Sequence, residues 1–64
     1  MKNEQGVKTV CYGQERIWES RSEAKSFFLQ AIAGSEGSEQ ARYMNVYMKL
    51  RMGLDICTDE EEGL

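Results

Sequence analysis

The sequence predicts an α+β domain with an N-terminal β-hairpin, two antiparallel helices and a candidate short C-terminal strand. Three observations support this class: a segment of strand-forming residues interrupted at Gly13, a helix-capping sequence at Ser20, and a second segment with helical spacing of apolar residues further along the chain. The 64 residues suffice for one domain. We place it at residues 7–57, between a disordered N-terminus at 1–6 and a disordered acidic tail at 58–64.

The hairpin is predicted from two strands joined by a two-residue turn at Gly13-Gln14. Val7–Tyr12 and Glu15–Glu19 contain β-branched and aromatic residues, and glycine at the first turn position suits a type II′ turn. This turn would place Thr9 opposite Trp18. Both faces of the hairpin carry apolar groups, and we expect the Trp18 face to meet the core because this side chain is the largest.

The first helix is predicted from Arg21 to Ala33. Ser20 and Glu23 fit a capping box, in which the hydroxyl bonds the amide and the carboxylate reaches back. Gly34 is expected to end the helix in a left-handed conformation. Apolar residues follow the spacing of one buried helix face, at Ala24, Phe27, Phe28, Ala31 and Ile32.

The second helix is predicted from an N-cap at Ser38 to Met52, with Gly53 ending it in a Schellman motif. Leu54–Cys57 alternates in hydropathy and is the candidate third strand. The polar tail beyond this strand is expected to be dispensable for folding, because it cannot repay its ordering entropy.

The second helix carries apolar side chains on two sides. The first stripe should pack on the first helix and the sheet, and comprises Tyr43, Val46, Tyr47 and Leu50. The second stripe comprises Ala41, Met44, Met48 and Met52. Two interpretations of the second stripe remain open: the methionines fill gaps beneath the hairpin or the tail, or they form an exposed surface that binds a partner. A homodimer is the expected form of the second interpretation.

Catalytic and metal-binding motifs are missing from the sequence. There is no histidine, which is the usual general base and metal ligand, and no nucleophile-elbow, P-loop or dinucleotide motif. The two cysteines, Cys11 and Cys57, cannot complete a tetrahedral zinc site. We therefore expect no enzyme activity, no cofactor, no metal and no small-molecule substrate.

The sequence also predicts a cytoplasmic protein. No apolar run approaches the roughly 20 residues of a membrane helix, and we expect no signal peptide because residues 1–6 are polar. In the cytosol, Cys11 and Cys57 would remain free thiols. A bridge between them would require the two ends of the chain to meet.

The net charge of −3 conceals an asymmetry. Residues 1–54 carry eight basic and six acidic side chains, whereas residues 55–64 carry five acidic ones. A polar strip on the second helix is the candidate nucleic-acid contact and comprises Arg42, Asn45, Lys49 and Arg51. A solvated strip is the simpler interpretation, because nucleic-acid-binding domains carry a stronger positive excess. The acidic tail leaves DNA mimicry by an anti-defence inhibitor as a further alternative.

A family resemblance covers residues 18–60. It rests on Trp18–Ala24, Phe27-Phe28, Ser35–Glu39, Arg42-Tyr43, Asn45–Tyr47, Leu50, Gly53 and Cys57–Asp59. These segments resemble short uncharacterised reading frames of conjugative transposons and related mobile elements of Gram-positive gut bacteria. The resemblance implies a bacterial accessory protein and assigns no activity or site residue. With the methionine stripe, it leads us to expect a non-enzymatic protein-interaction module that binds a partner or itself.

Overall fold

A computed structural model describes residues 6–61, so residues 1–5 and 62–64 of the predicted disordered ends lie outside it. The strands form one mixed sheet in the order β2-β1-β3, with β1 antiparallel to β2 and parallel to β3. The predicted α+β class is confirmed, with its hairpin, two helices and short third strand. In chain order the elements are β1 (Val7–Cys11), β2 (Gln14–Trp18), α1 (Arg21–Ala33), α2 (Gly37–Met52) and β3 (Ile56–Thr58).

The hairpin turn lies one residue earlier than predicted. Cys11 pairs with Gln14, so Tyr12 and Gly13 form the turn, with φ angles of 55° and 77°. Two positive φ angles are the requirement of a type I′ turn, and a tyrosine adopts such an angle rarely. The Tyr12 N–H donates to Oδ2 of Asp59 at 2.9 Å. This bond from a distant part of the chain helps to hold a turn that the local sequence does not favour.

The register of the hairpin therefore differs from the prediction by two residues. Thr9 pairs with Arg16 instead of Trp18, and Trp18 pairs with Val7. A shift of two residues returns each side chain to the same face, so the predicted core face is confirmed. Trp18 is 7% exposed and its indole N–H donates to the Thr9 hydroxyl at 3.0 Å, whereas Ile17 on the other face is 72% exposed.

Within residues 6–61, every helix and strand contributes at least one side chain to the hydrophobic core. Tyr43 and Tyr47 pack against its edge. The inward stripe predicted for the second helix is thus confirmed, with its two aliphatic members fully buried. The buried apolar residues are Val7, Trp18, Ala24, Phe28, Val46, Leu50 and Cys57.

Helix α1 begins and ends at the predicted residues. The Ser20 hydroxyl accepts the Glu23 N–H at 3.1 Å, which is the hydroxyl half of the capping box. Gly34 is not left-handed as predicted, because its φ is −97°. The Ser35 hydroxyl instead donates to the Ala31 carbonyl at 2.7 Å. A side chain therefore satisfies part of the last turn without a left-handed glycine.

Helix α2 begins at Gly37, so Ser38 lies within its first turn and the predicted N-cap is wrong. Gly37 has a φ of 69°, a conformation that glycine adopts without steric cost. The Gln40 amide links this first turn to the end of α1, since it donates to the carbonyls of Ile32 and Ser35 at 3.0 Å each. A glutamine one turn later thus fixes the helix entry.

The end of α2 follows the predicted Schellman motif. Gly53 is left-handed with a φ of 91°. Its N–H donates to the Leu50 carbonyl, and the Leu54 N–H donates to the Lys49 carbonyl, both at 3.2 Å. The Arg21 guanidinium donates to the carbonyls of Leu50 and Leu54 at 3.0 and 2.9 Å. The start of α1 is therefore tied to the end of α2.

Strand β3 lies further along the chain than the predicted Leu54–Cys57. It pairs with β1, and the Asp59 N–H extends the pairing by donating to the Val10 carbonyl at 2.9 Å. Thr58 belongs to this strand and Asp59 is 8% exposed. The prediction that disorder begins at residue 58 was wrong, because backbone pairing with β1 orders both residues.

Candidate functional site

The outer surface of α2 exposes a line of methionines. We call Ala41, Met44, Met48 and Met52 the methionine face. The exposed fractions of its three methionines are 44%, 54% and 65% in chain order, so these side chains do not fill gaps beneath the hairpin or the tail. Two helical residues correspond to about 200° of rotation, which places Met48 opposite the buried Val46 and Leu50. The predicted interface residues therefore share one outward surface.

The methionine face is bordered by Arg51. Met48, Arg51 and Met52 line a shallow concavity of about 290 Å³. Methionine side chains are flexible and polarisable, so they adapt to an apposed surface. Exposed large apolar side chains that lie together on one helix are typical of a protein interface.

Lys49, a member of the predicted nucleic-acid strip, binds the C-terminal segment of the chain. The Lys49 ammonium donates to the Thr58 carbonyl at 3.1 Å, to the Thr58 hydroxyl at 2.9 Å and to the Glu60 carbonyl at 2.8 Å. Only 6% of this lysine is exposed. The predicted phosphate contact is thus buried beneath the chain that follows β3.

Asp59 joins that C-terminal segment to α2 and to the hairpin. Its Oδ2 accepts the Tyr12 N–H at 2.9 Å and the Arg42 guanidinium at 2.7 Å, and its carbonyl accepts the Asn45 amide at 3.1 Å. The bond from the Tyr12 amide, with a further contribution from Arg42, lowers the pKa of the Asp59 carboxyl. Arg42 also lies over the Tyr12 ring, 4.6 Å from its centroid. The ionised carboxylate thus connects three elements of the fold.

Three of the four candidate nucleic-acid residues, Arg42, Asn45 and Lys49, therefore bind residues 58–60. Arg51 is the fourth, and it lies apart from them beside the methionine face. The charge asymmetry between the acidic tail and the helix was a sequence signal for the Arg42–Asp59 ion pair, whereas Asn45 and Lys49 bind backbone carbonyls and the Thr58 hydroxyl. Charge asymmetry alone does not predict docking, because an isolated run of acidic residues usually remains solvated.

A cleft that the sequence analysis did not identify lies between the inner face of the hairpin and the helices. Its volume is about 380 Å³. The Arg16 guanidinium lies 4.0 Å from the centroid of the Trp18 ring and 5.3 Å from that of Phe27. Phe27, predicted on the buried face of its helix, is 44% exposed here. We call this the aromatic cleft, and its ring-bearing residues are Tyr12, Trp18, Phe27, Phe28 and Tyr43.

The thiols near the cleft and in the core are poor nucleophiles. Cys11 lines the aromatic cleft, and burial, reinforced by the negative charge of Asp59, raises the pKa of its thiol. Burial also raises the pKa of Cys57. Both are free cysteines and remain protonated at neutral pH. Within the described part of the chain, no group of three or more Cys, Asp and Glu side chains could hold a metal ion.

Comparison of the chain with protein-family models, with curated proteins and with solved structures found no match. Neither helix within residues 6–61 has the length and apolar character needed to cross a membrane.

Proposed function

We propose that this domain is a non-enzymatic protein-interaction module that forms a homodimer through the methionine face. The observation that carries the proposal is the exposure of Met44, Met48 and Met52 along one line of α2. A domain of this size buries only about 60% of the surface of its unfolded chain. Burial of the methionine face between two copies would add stability, because the core of so small a domain contributes little by itself.

An antiparallel pair of α2 helices is self-complementary at this face. The spacing of four residues stacks the methionines along the helix. About a twofold axis at Met48, Met44 of one copy would meet Met52 of the other copy. This line of side chains contains no charge that would oppose the approach of an identical helix. Because methionine repacks readily, the same face could exchange the second copy for another protein.

The resemblance to mobile-element reading frames suggests the biological context of this interaction module. It supports a role as an accessory protein in the bacterial cytoplasm. The free thiols of Cys11 and Cys57 fit a reducing compartment.

The alternative of a nucleic-acid-binding regulator has less support. Lys49 and Asn45 bind the C-terminal segment, and Arg42 pairs with Asp59. An acidic DNA mimic loses support for a related reason, because Asp59 is turned inward. Binding to generic DNA or RNA that weakens steeply with salt would revive the regulator. Absence of binding at low salt would remove it.

The proposal is tested by sedimentation equilibrium of the unmodified protein and of Met48→Lys. Since Met48 is exposed, its lysine variant should keep the helix content measured by circular dichroism but sediment as a monomer. Ile17→Lys is the matched control, because Ile17 is also exposed but lies on β2. It should leave the dimer intact. An unmodified protein that is monomeric at high micromolar concentration would refute the homodimer.

A further inference from the structure

Strand β2 presents unpaired backbone groups at the free edge of the sheet. The Lys8 N–H and the Val10 carbonyl both bond on the β3 side of β1, and their partners in β2 are Ile17 and Glu15. Hydrogen-bonded and non-bonded pairs alternate in an antiparallel ladder. The N–H and C=O groups of Glu15 and Ile17 therefore point away from β1. In the sheet formed by the described residues, β1 is the only neighbour of β2.

The aromatic cleft lies beneath this same edge. Arg16 stands between the two residues with outward backbone groups, and its side chain shares the inner face with Trp18. A residue added opposite Arg16 would share that face and approach the exposed ring of Phe27. An extended chain at this edge can therefore form backbone hydrogen bonds and place alternate side chains toward the cleft.

The positive charge of Arg16 indicates which kind of ligand this edge of the sheet can bind. Within residues 6–61, the Arg16 guanidinium forms no ion pair and lies over the rings of Trp18 and Phe27. Glu15, which also lines the cleft, is held by Lys8 at 3.2 Å. Arg16 is thus a cation available to a carboxylate.

We propose that β2 and the aromatic cleft bind an extended acidic peptide segment of a partner protein, which adds as a fourth strand. A large apolar side chain of the peptide enters the cleft, and an acidic side chain two residues away on the same face pairs with Arg16. The backbone groups of Glu15 and Ile17 supply the strand pairing. This site is separate from the methionine face, so the dimer and the peptide complex can form independently.

A second copy of this chain fits the edge poorly. Antiparallel pairing of two β2 strands about Arg16 places Arg16 opposite itself. Pairing about Glu15 places Glu15 opposite itself, and pairing about Ile17 places Glu15 opposite Glu19. Like charges directly opposite each other destabilise a sheet, so each of these twofold arrangements is disfavoured.

The probe for this site is a phage-displayed library of random peptides about ten residues long, which span an edge strand of this kind. Selection on the unmodified protein should enrich sequences with an aromatic or large aliphatic residue and an acidic residue two positions apart. A synthetic peptide of the enriched sequence should then shift the amide resonances of Glu15 and Ile17. A peptide of the same composition, with the two residues adjacent and so on opposite faces, is the matched control.

Two variants separate the charge from the strand pairing. Arg16→Glu should weaken the selected peptide about tenfold, the effect of losing one charge-assisted hydrogen bond, and selection on it should enrich basic residues instead. Ile17→Pro removes an outward N–H that β1 does not use, so the hairpin should persist while binding is lost. Amide spectra of both variants check the fold.

Several results would overturn the proposal. No enrichment of the spaced motif, or equal binding of the selected peptide to the unmodified protein and both folded variants, would remove the site. Shifts at Glu15 and Ile17 that depend on protein concentration alone would indicate self-pairing. Preference for a single-stranded oligonucleotide over the peptide would indicate base stacking on the rings. Since Met48→Lys should leave peptide binding unchanged, failure of the dimer is distinguishable from failure of this site.

Discussion

Asp59→Ala is the most informative change to the fold, because the sequence places this residue in a dispensable tail. The substitution removes an acceptor that holds the Tyr12 N–H at 2.9 Å and the Arg42 guanidinium at 2.7 Å. It leaves the pairing of the Asp59 backbone with Val10 available. The tyrosine amide belongs to a turn with positive φ, so loss of its acceptor should loosen the hairpin as well as the C-terminal segment.

The loss of unfolding free energy in Asp59→Ala comes mainly from the hydrogen bond to the Tyr12 amide. Loss of the ion pair with Arg42 should cost little stability, because this guanidinium is partly exposed and is hydrated by water when its partner is removed. A hydrogen bond to a charged acceptor contributes about 2 kcal/mol to the free energy of unfolding. For a domain of this size, that loss lowers the melting temperature by about 10 °C.

The effect should depend on pH in a defined direction. The pKa of Asp59 is lowered in the folded state, so the ionised carboxylate stabilises the fold at pH values above the ordinary aspartate pKa of about 3.9. This contribution is lost as the pH falls through the folded-state pKa. The difference in stability between the unmodified protein and Asp59→Ala should therefore be largest near neutral pH and shrink in acid.

Thermal unfolding followed by circular dichroism at neutral and acidic pH measures both effects. Glu60→Ala is the matched control, because it removes one negative charge from an exposed side chain of the same segment. Its melting temperature should change little. If Asp59→Ala and Glu60→Ala melt together with the unmodified protein at neutral pH, the docking of residues 58–60 does not stabilise the fold.

Three further outcomes test the core, a helix end and a buried thiol. Leu50→Ala should cost about 3 kcal/mol in urea denaturation because the side chain is fully buried, whereas Met48→Ala should cost little at concentrations where the protein is monomeric. Gly53→Ala should cost about 1 kcal/mol by the same assay, since φ is 91° at this position. Cys57 should be alkylated only as fast as the domain opens, and more slowly than the partly exposed Cys11; equal rates would place Cys57 outside the core.

Local patterns predicted most of the fold. The bounds of α1 and the Schellman end at Gly53 depend on contacts within a few residues, which sequence spacing captures. The core face of the hairpin was also predicted, because a register error of two residues preserves the facing of Trp18. The methionine stripe was visible from helical spacing alone. Its exposure was not, since that depends on what the rest of the chain covers.

The errors share a physical cause in contacts between distant residues. Tyr12 occupies a turn position that its own preferences oppose, and Asp59, 47 residues later, supplies the acceptor for its N–H. Lys49 was assigned to solvent because its partners, Thr58 and Glu60, lay in a segment expected to be disordered. The aromatic cleft was missed because it depends on how the hairpin is placed over α1 and α2. Sequence spacing contains no direct measure of that placement.

The central claim, a dimer through the methionine face, is tested most directly by isotope-filtered nuclear Overhauser spectroscopy. The sample mixes protein carrying isotope-labelled methionine methyl groups with unlabelled protein at high micromolar concentration. A dimer through the methionine face should give contacts between copies from Met44 to Met52 and from Met48 to Met48. Contacts between copies that involve Ile17 and omit these methionines, or no such contacts in a sample that sediments as a monomer, would contradict it.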